Sequence, residues 1–275
     1  MRLRMLLTAL VVLVLLNICA PVAHALGPDW AQAPVDISLE GHRVDSLFGI
    51  VGVMLLVLFV ILTAVLAIAM VAHRDGSKHH VHYHTGEARK DLTIAFTISA
   101  IIFFVVDGTL LVNSFEDLNE AYWNYPATSP DLTRVQIMPQ QWAWRFRLPG
   151  SDGQFNTEDD IVTLNELRLP QGKQVLAQLQ SRDVIHSFFL PNVRQKVDAN
   201  PGSVSKMTFT PLRAGSYEVV CAEMCGIAHY KMRAEMKVMP QEEFDAWHAE
   251  ASLWAGASFD PEDTDALWGW DWEAN

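Results

Sequence analysis

The chain has 275 residues, 50% of them hydrophobic, and a formal net charge of −12. That length fits one or two domains. The acidic balance argues against nucleic acid as a partner, and thiol chemistry rests on three cysteines, Cys19, Cys221 and Cys225.

Residues 1–25 begin with Arg2 and Arg4, continue through LLTALVVLVLL and end in Ala23-His24-Ala25. A charged start, an apolar run and small residues at the end predict a secretory signal peptide cut after Ala25. Residues 26–46 then form an exported N-terminal segment. Two uninterrupted apolar stretches follow. Leu47 to Ala72 carries no charge, and Leu92 to Val112 carries one, Asp107. A helix needs about 20 apolar residues to span a bilayer, so residues 47–113 predict a transmembrane hairpin, with helices at about 47–72 and 92–113. Its loop, residues 73–91, holds Arg74, Lys78, Arg89 and Lys90. Short basic loops stay in the cytoplasm, which places everything after Asn113 outside. The expected location is a bacterial-type inner membrane, multi-pass, with the exported domain on the periplasmic face. His79, His80, His82 and His84 give the loop a run of imidazoles, read as a solvated membrane-proximal segment. Asp107 is a functional candidate because a carboxylate inside a membrane is costly.

Residues 114–275 hold 24 acidic against 13 basic residues. This favours a soluble basic partner steered by long-range attraction and disfavours anionic lipid. After a linker at 114–132, short β-like runs follow one another from Leu132 to Pro240: RVQIM, WAWRFRL, IVTLNELRL, QVLAQLQS, HSFFL, SKMTFT, GSYEVV and EMKVM. Turn signals such as Pro149-Gly150, Pro170-Gln171-Gly172 and Pro201-Gly202 separate them. Short strands so spaced predict an all-β sandwich or barrel at 133–240. The acidic loop SDGQFNTEDD reads as a solvated hairpin, with calcium binding as the rarer alternative. Residues 241–275 predict one helix over QEEFDAWHAEASLWA and an acidic tail with Trp268, Trp270 and Trp272. Together with Trp254, these indoles are expected at the membrane interface or against another subunit.

The stretch VVCAEMCGIAHYKM gathers Cys221, Cys225, His229 and Met232 between two predicted strands. A disulfide would be the ordinary fate of two exported cysteines, but it leaves His229 and Met232 unused. Zinc accepts Cys and His yet has no use for a thioether. A catalytic cysteine needs one thiol and a base. Copper uses the whole set, because thiolate and thioether are soft ligands and imidazole suits it as well. His186, in DVIHSFFLP, supplies a second imidazole.

H-S-F-F-L-P followed by C-A-E-M-C-G-I-A-H-Y-K-M resembles subunit II of cytochrome c oxidase, over roughly residues 45–250. The resemblance implies a two-helix transmembrane hairpin followed by a cupredoxin-like domain with the binuclear copper centre CuA. Cys221 and Cys225 would bridge two copper ions, and His186 and His229 would each bind one. Met232 and the backbone carbonyl of Glu223 would be the weak ligands. The Glu223 carboxylate would reach a magnesium ion shared with subunit I. Asp198, Arg194 and Lys196 match positions near that interface. MPQQWAWRF is similar to the family's aromatic segment, so Trp142 would be where electrons enter and Trp144 its buried neighbour. Pro139 and Gln140 stand where the family has Gly and His. Asp183 would help dock cytochrome c, although Arg182 replaces a common acid beside it. Asp91, or more weakly Glu87, would serve a proton channel, in a helix lacking the family's Trp and Pro.

The resemblance therefore implies an oxidoreductase subunit. It would accept electrons from cytochrome c, pass them to haem a in subunit I, and support oxygen reduction coupled to proton pumping, with subunit III as a further partner. The chain carries no C-x-x-C-H, so its donor would be a separate molecule. The alternative is a membrane-tethered copper electron carrier or copper-binding protein without an oxidase partner. A quinol oxidase subunit II has a similar fold but lacks the copper ligands.

Overall fold

The computed structural model describes residues 33–76, 85–125 and 132–262. The expected signal peptide, Cys19, the four loop histidines and Trp268, Trp270 and Trp272 lie outside them. Two compact units divide the chain: one holds Ser46–Val112, the other Asp36–Asp45 together with the chain from Asn113.

Two long helices are apolar enough to cross a membrane, α1 (Leu39–Ala72) and α2 (Arg89–Trp123). Both exceed the apolar spans expected at 47–72 and 92–113. At α1 the extra turns have a local cause: the Ser38 hydroxyl accepts a hydrogen bond from Gly41 N–H at 2.8 Å, a side-chain cap of the kind that starts helices. α2 continues through the expected linker to Trp123 and contains π-helical turns at Ile102–Asp107 and Asn119–Trp123. Asp107 closes the first of them.

Ten strands follow: β1 (Thr133–Gln140), β2 (Ala143–Leu148), β3 (Ile161–Leu164), β4 (Glu166–Pro170), β5 (Val175–Leu179), β6 (His186–Leu190), β7 (Gln195–Ala199), β8 (Ser205–Phe209), β9 (Gly215–Cys221) and β10 (Arg233–Met239). They form two five-stranded sheets, ordered β3-β2-β1-β5-β8 and β4-β10-β9-β6-β7. Pairing is antiparallel except for β1 with β5 and β10 with β4. Two apolar helices followed by an all-β sandwich is the fold class expected from the sequence.

The core lies between the sheets. Trp144 and Phe146 on β2 meet Phe188 on β6, with ring centroids 5.4 and 6.3 Å apart in edge-on geometry. Such contacts favour the positive ring edge against the negative face. Alternation along β1, β2 and β6 supplies this layer. The run IVTLNELRL, expected to alternate as one strand, instead breaks at Asn165, whose φ is +54°. Asn165 exchanges hydrogen bonds with Trp144 at 2.8 Å, through its side chain and its backbone N–H. The chain thereby passes from β3 in the first sheet to β4 in the second.

The segment before α1 belongs to the β unit. Ile37 is 1% exposed, and its backbone bonds Asn192 and Leu212 at 3.0 and 2.6 Å. Glu40 accepts the Thr210 N–H at 2.8 Å. Asp45 takes two hydrogen bonds from the Arg194 guanidinium, at 2.9 and 3.2 Å. At the other end of the domain, α3 (Gln241–Ser258) packs against β3 and β4. Ser252 donates to Asp159 at 2.9 Å and His248 meets the Pro149 carbonyl at 2.9 Å. Carboxylates of the acidic loop take partners from the protein: Asp160 pairs with the buried Arg147 of β2, Asp159 accepts the Ser151 N–H, and Asp152 accepts the Gln154 N–H.

Candidate metal centre

The four side chains of the cysteine-rich stretch are brought together by the end of the second sheet. Cys221 is the last residue of β9 and is held on both sides: its N–H donates to the Met232 carbonyl at 3.1 Å, and the next N–H, of Ala222, donates to Ser187 O at 3.0 Å. His186 opens β6, and Phe188, two residues further on, pairs directly with Cys221. The chain between β9 and β10 then folds back through a 3-10 turn at His229–Lys231. His229 N donates to Gly226 O and Met232 N to His229 O, both at 3.1 Å. These bonds turn the imidazole and the thioether toward the two sulfurs.

Cys221 and Cys225 are free thiols, with sulfurs 3.7 Å apart; a covalent S–S bond is about 2.05 Å. Cys221 Sγ lies 4.0 Å from His186 Nδ1, whereas Cys225 Sγ lies 3.6 Å from His229 Nδ1. Met232 Sδ is 3.7 Å from Cys225 Sγ. The Cys221 thiol donates to the Glu223 carbonyl at 3.2 Å. Ligand atoms of His186, Cys221 and Cys225 all lie within 4.8 Å of one another. His186, Cys225 and Met232 are 0%, 3% and 1% exposed, whereas Cys221 and His229 are partly exposed.

The two thiols titrate apart. Burial pushes both up. At Cys221, hydrogen bonds with His186 and with the backbone of Ser187 and Glu223 outweigh burial and bring the thiol down to about 6. At Cys225, burial and the adjacent Cys221 act in the same direction and push it up to about 12. Burial lowers His186, but contacts with Cys221 and Asp183 outweigh it and leave the imidazole raised. A thiolate is the metal-binding form of cysteine, and the set of two sulfurs, two imidazoles and a thioether fits copper.

Trp142 is 40% exposed and Trp144 fully buried; they do not share a strand face, because Trp142 lies in the β1–β2 turn. Its indole N–H donates to the Cys225 carbonyl at 3.3 Å. The Asp183 carboxylate turns inward, 2.8 Å from His186 Nε2 and accepting the Gln141 N–H at 2.7 Å. Burial raises Asp183, and the hydrogen bonds from Gln141, His186 and Val184 more than reverse it. Glu223 directs its carboxylate to the Met224 N–H at 3.3 Å, and Asp198 accepts from Ser187 Oγ at 2.6 Å. Asp91 lies in the first turn of α2. Sequence reasoning missed Gln141, whose side chain reaches the Cys225 carbonyl at 2.8 Å; the Gln-Trp pair within MPQQWAWRF was its only signal.

Residues 133–239 match the family described as cytochrome c oxidase subunit II, periplasmic domain. The alternative cytochrome c oxidase subunit 2 of Bradyrhizobium diazoefficiens is 40% identical over 159 residues, covering 50% of this chain and 57% of that protein. Cytochrome c oxidase subunit 2 of Thermostichus vulcanus is 39% identical over 133 residues, covering 48% of this chain and 37% of that protein. The chain thus spans about half the length of these curated relatives. The crystal structure of the periplasmic domain of subunit II of cytochrome oxidase of Bradyrhizobium japonicum superposes with a TM-score of 0.41 at 25% identity, covering 49% of this chain and 99% of that one.

Proposed function

We propose, from a β domain that belongs to the cytochrome c oxidase subunit II family over residues 133–239, that this chain is the electron-accepting subunit of a membrane-bound cytochrome c oxidase. It takes electrons from cytochrome c at a binuclear copper centre and passes them to haem a in subunit I, where oxygen is reduced to water and protons are pumped.

One observation carries the copper reading. Each imidazole neighbours a different sulfur, His186 beside Cys221 and His229 beside Cys225, and the sulfurs are 3.7 Å apart. Two thiolates with an imidazole on either side suit two metal ions better than one. Cys221 and Cys225 would bridge, His186 and His229 would cap one ion each, and Met232 and the Glu223 carbonyl would be the weak ligands. Bound copper supplies a carrier for single electrons. The protein supplies rigidity: β6 and β9 fix His186 and Cys221, and Met232 immediately precedes β10, so little has to move when the charge changes. Trp142 offers a half-exposed indole joined to the Cys225 peptide by one hydrogen bond, a short path inward for an electron. The Glu223 carboxylate remains the candidate for a magnesium ion shared with subunit I, and Asp91 the candidate for proton intake.

The test is copper loading of the full-length chain in detergent, followed by metal analysis and electron paramagnetic resonance. Two coppers per chain sharing one unpaired electron equally are expected. A single-copper signal, or one ion per chain, refutes the reading.

A further inference from the structure

The ligands come from the second sheet, but the turn that touches them comes from the first. Gln141 in the β1–β2 turn makes two contacts with the site. Its carboxamide Nε2 donates to the Cys225 carbonyl at 2.8 Å. Its backbone N–H donates to Asp183 Oδ2 at 2.7 Å, and the other Asp183 oxygen meets His186 Nε2 at 2.8 Å. One residue is therefore tied to both Cys225 and His186 without touching a ligand atom.

The Cys225 carbonyl has two acceptor sites, and both are filled from this turn. Trp142 Nε1 takes the second at 3.3 Å, so the shorter of the two bonds is that of Gln141. The ligand loop keeps space for this approach. Gly226 has a φ of +121°, and a Cβ there would lie 2.9 Å from Gln141 Nε2 and 3.2 Å from Trp142 Nε1. Glycine alone combines that backbone with the absence of a side chain.

We propose that Gln141 is a positioning residue: it latches the Cys225–Gly226 peptide to the β1–β2 turn and so holds Cys225 in the cluster and the Trp142 indole against it. The proposal rests on the copper reading of the site for its metal consequence, but the latch itself is a property of the polypeptide. Loss of partners that orient ligands costs metal affinity about 10- to 100-fold.

The experiment compares the wild-type full chain with Gln141→Met, which keeps the length and removes the donor, and Gln141→Glu, which keeps the shape and presents an acceptor. Gln141 is exposed in a turn, so both variants are expected to fold, as far-UV circular dichroism checks. In the metal-free chain, amide hydrogen exchange over residues 222–229 should quicken about tenfold in both variants, with β1, β5 and β8 unchanged. In the copper-loaded chain, release to a chelator should quicken about 10- to 100-fold, with a broadened resonance signal. Exchange and release rates equal to wild type in both variants overturn the proposal. Wild type that takes no copper refutes the copper reading instead, and the exchange measurement then judges the latch alone.

Discussion

Replacing Ile37 by alanine tests whether the segment ahead of α1 is a structural part of the β domain. Ile37 is 1% exposed and belongs to the same hydrophobic cluster as Phe188, Leu190, Val193 and Phe209. The change removes three carbons, worth about 0.8 kcal/mol each by transfer, or roughly 2.4 kcal/mol. The cavity left behind adds to this, and buried Ile→Ala changes cost about 2–5 kcal/mol. We expect about 3 kcal/mol, a large part of the roughly 5–15 kcal/mol that holds a domain together. The backbone bonds of Ile37 to Asn192 and Leu212 survive the substitution, so the loss reports side-chain packing alone. Urea unfolding of the full chain in detergent, followed by tryptophan fluorescence, reads the β domain. Ile37→Val should cost about 1 kcal/mol and give a graded series. A loss below about 0.5 kcal/mol for the alanine variant, with an unchanged urea slope, would show that the strap rests on the domain without supporting it.

Two further outcomes concern protons. Burial raises the Asp159 carboxyl, but hydrogen bonds from Ser252, Thr157 and Ser151 outweigh it and leave it below the ordinary value. A depressed carboxyl stabilises the fold above its unfolded value, and that contribution is lost as pH falls through the folded one. The melting temperature of wild type should therefore fall below about pH 4, while Asp159→Asn starts lower at pH 7 and lacks that component; parallel curves for the two proteins would contradict this. Copper uptake should depend on pH in two regimes. Cys225, at about 12, must release a proton throughout the accessible range, which gives about tenfold loss of affinity per pH unit lowered. Below about 6 Cys221 is protonated as well, which brings the dependence toward about a hundredfold per unit, and protonation of the raised His186 steepens it further. Calorimetry between pH 5 and 8 checks the break; a slope that stays constant argues against the titration order.

The apolar spans, most of the strands and the cluster of sulfur and imidazole side chains were legible because each has a local signature: length without charge, period-two alternation, and soft donors packed into twelve residues. The misses were tertiary. β7 reads Gln-Lys-Val-Asp-Ala and lacks an apolar alternation, yet it pairs with β6 from His186 to Leu190. IVTLNELRL alternates through Asn165, and nothing local distinguishes one strand from two in different sheets. The left-handed turn exists because the Asn165 side chain replaces a ladder partner for Trp144 N–H. The start of α1 was hidden because its first turns are polar and belong to the β unit. Only the fold shows that the carboxylate of the exposed Asp183 also reaches His186.

The division of the site between two sheets bears on the proposed electron path. Trp142 belongs to the first sheet by its turn, and Cys221, Cys225, His186 and Met232 belong to the second. Their separation is set by what packs between the sheets, chiefly Trp144 of β2 against Phe188 of β6 at 5.4 Å, with His186 at 6.3 Å from the same indole. β2 with the turn before it, and β6, thus each carry a core residue and a site residue close together. Trp144 follows Trp142 by two positions, and Phe188 follows His186 by two. A core this dense resists small shifts, so the gap between indole and cluster stays constant while the exposed edge of Trp142 remains open to a partner. Tunnelling is steeply sensitive to distance, and a relay of this kind needs a fixed gap more than it needs any catalytic group. Under the proposed function, the packing of Trp144 against Phe188 and His186 would serve electron transfer by holding that gap.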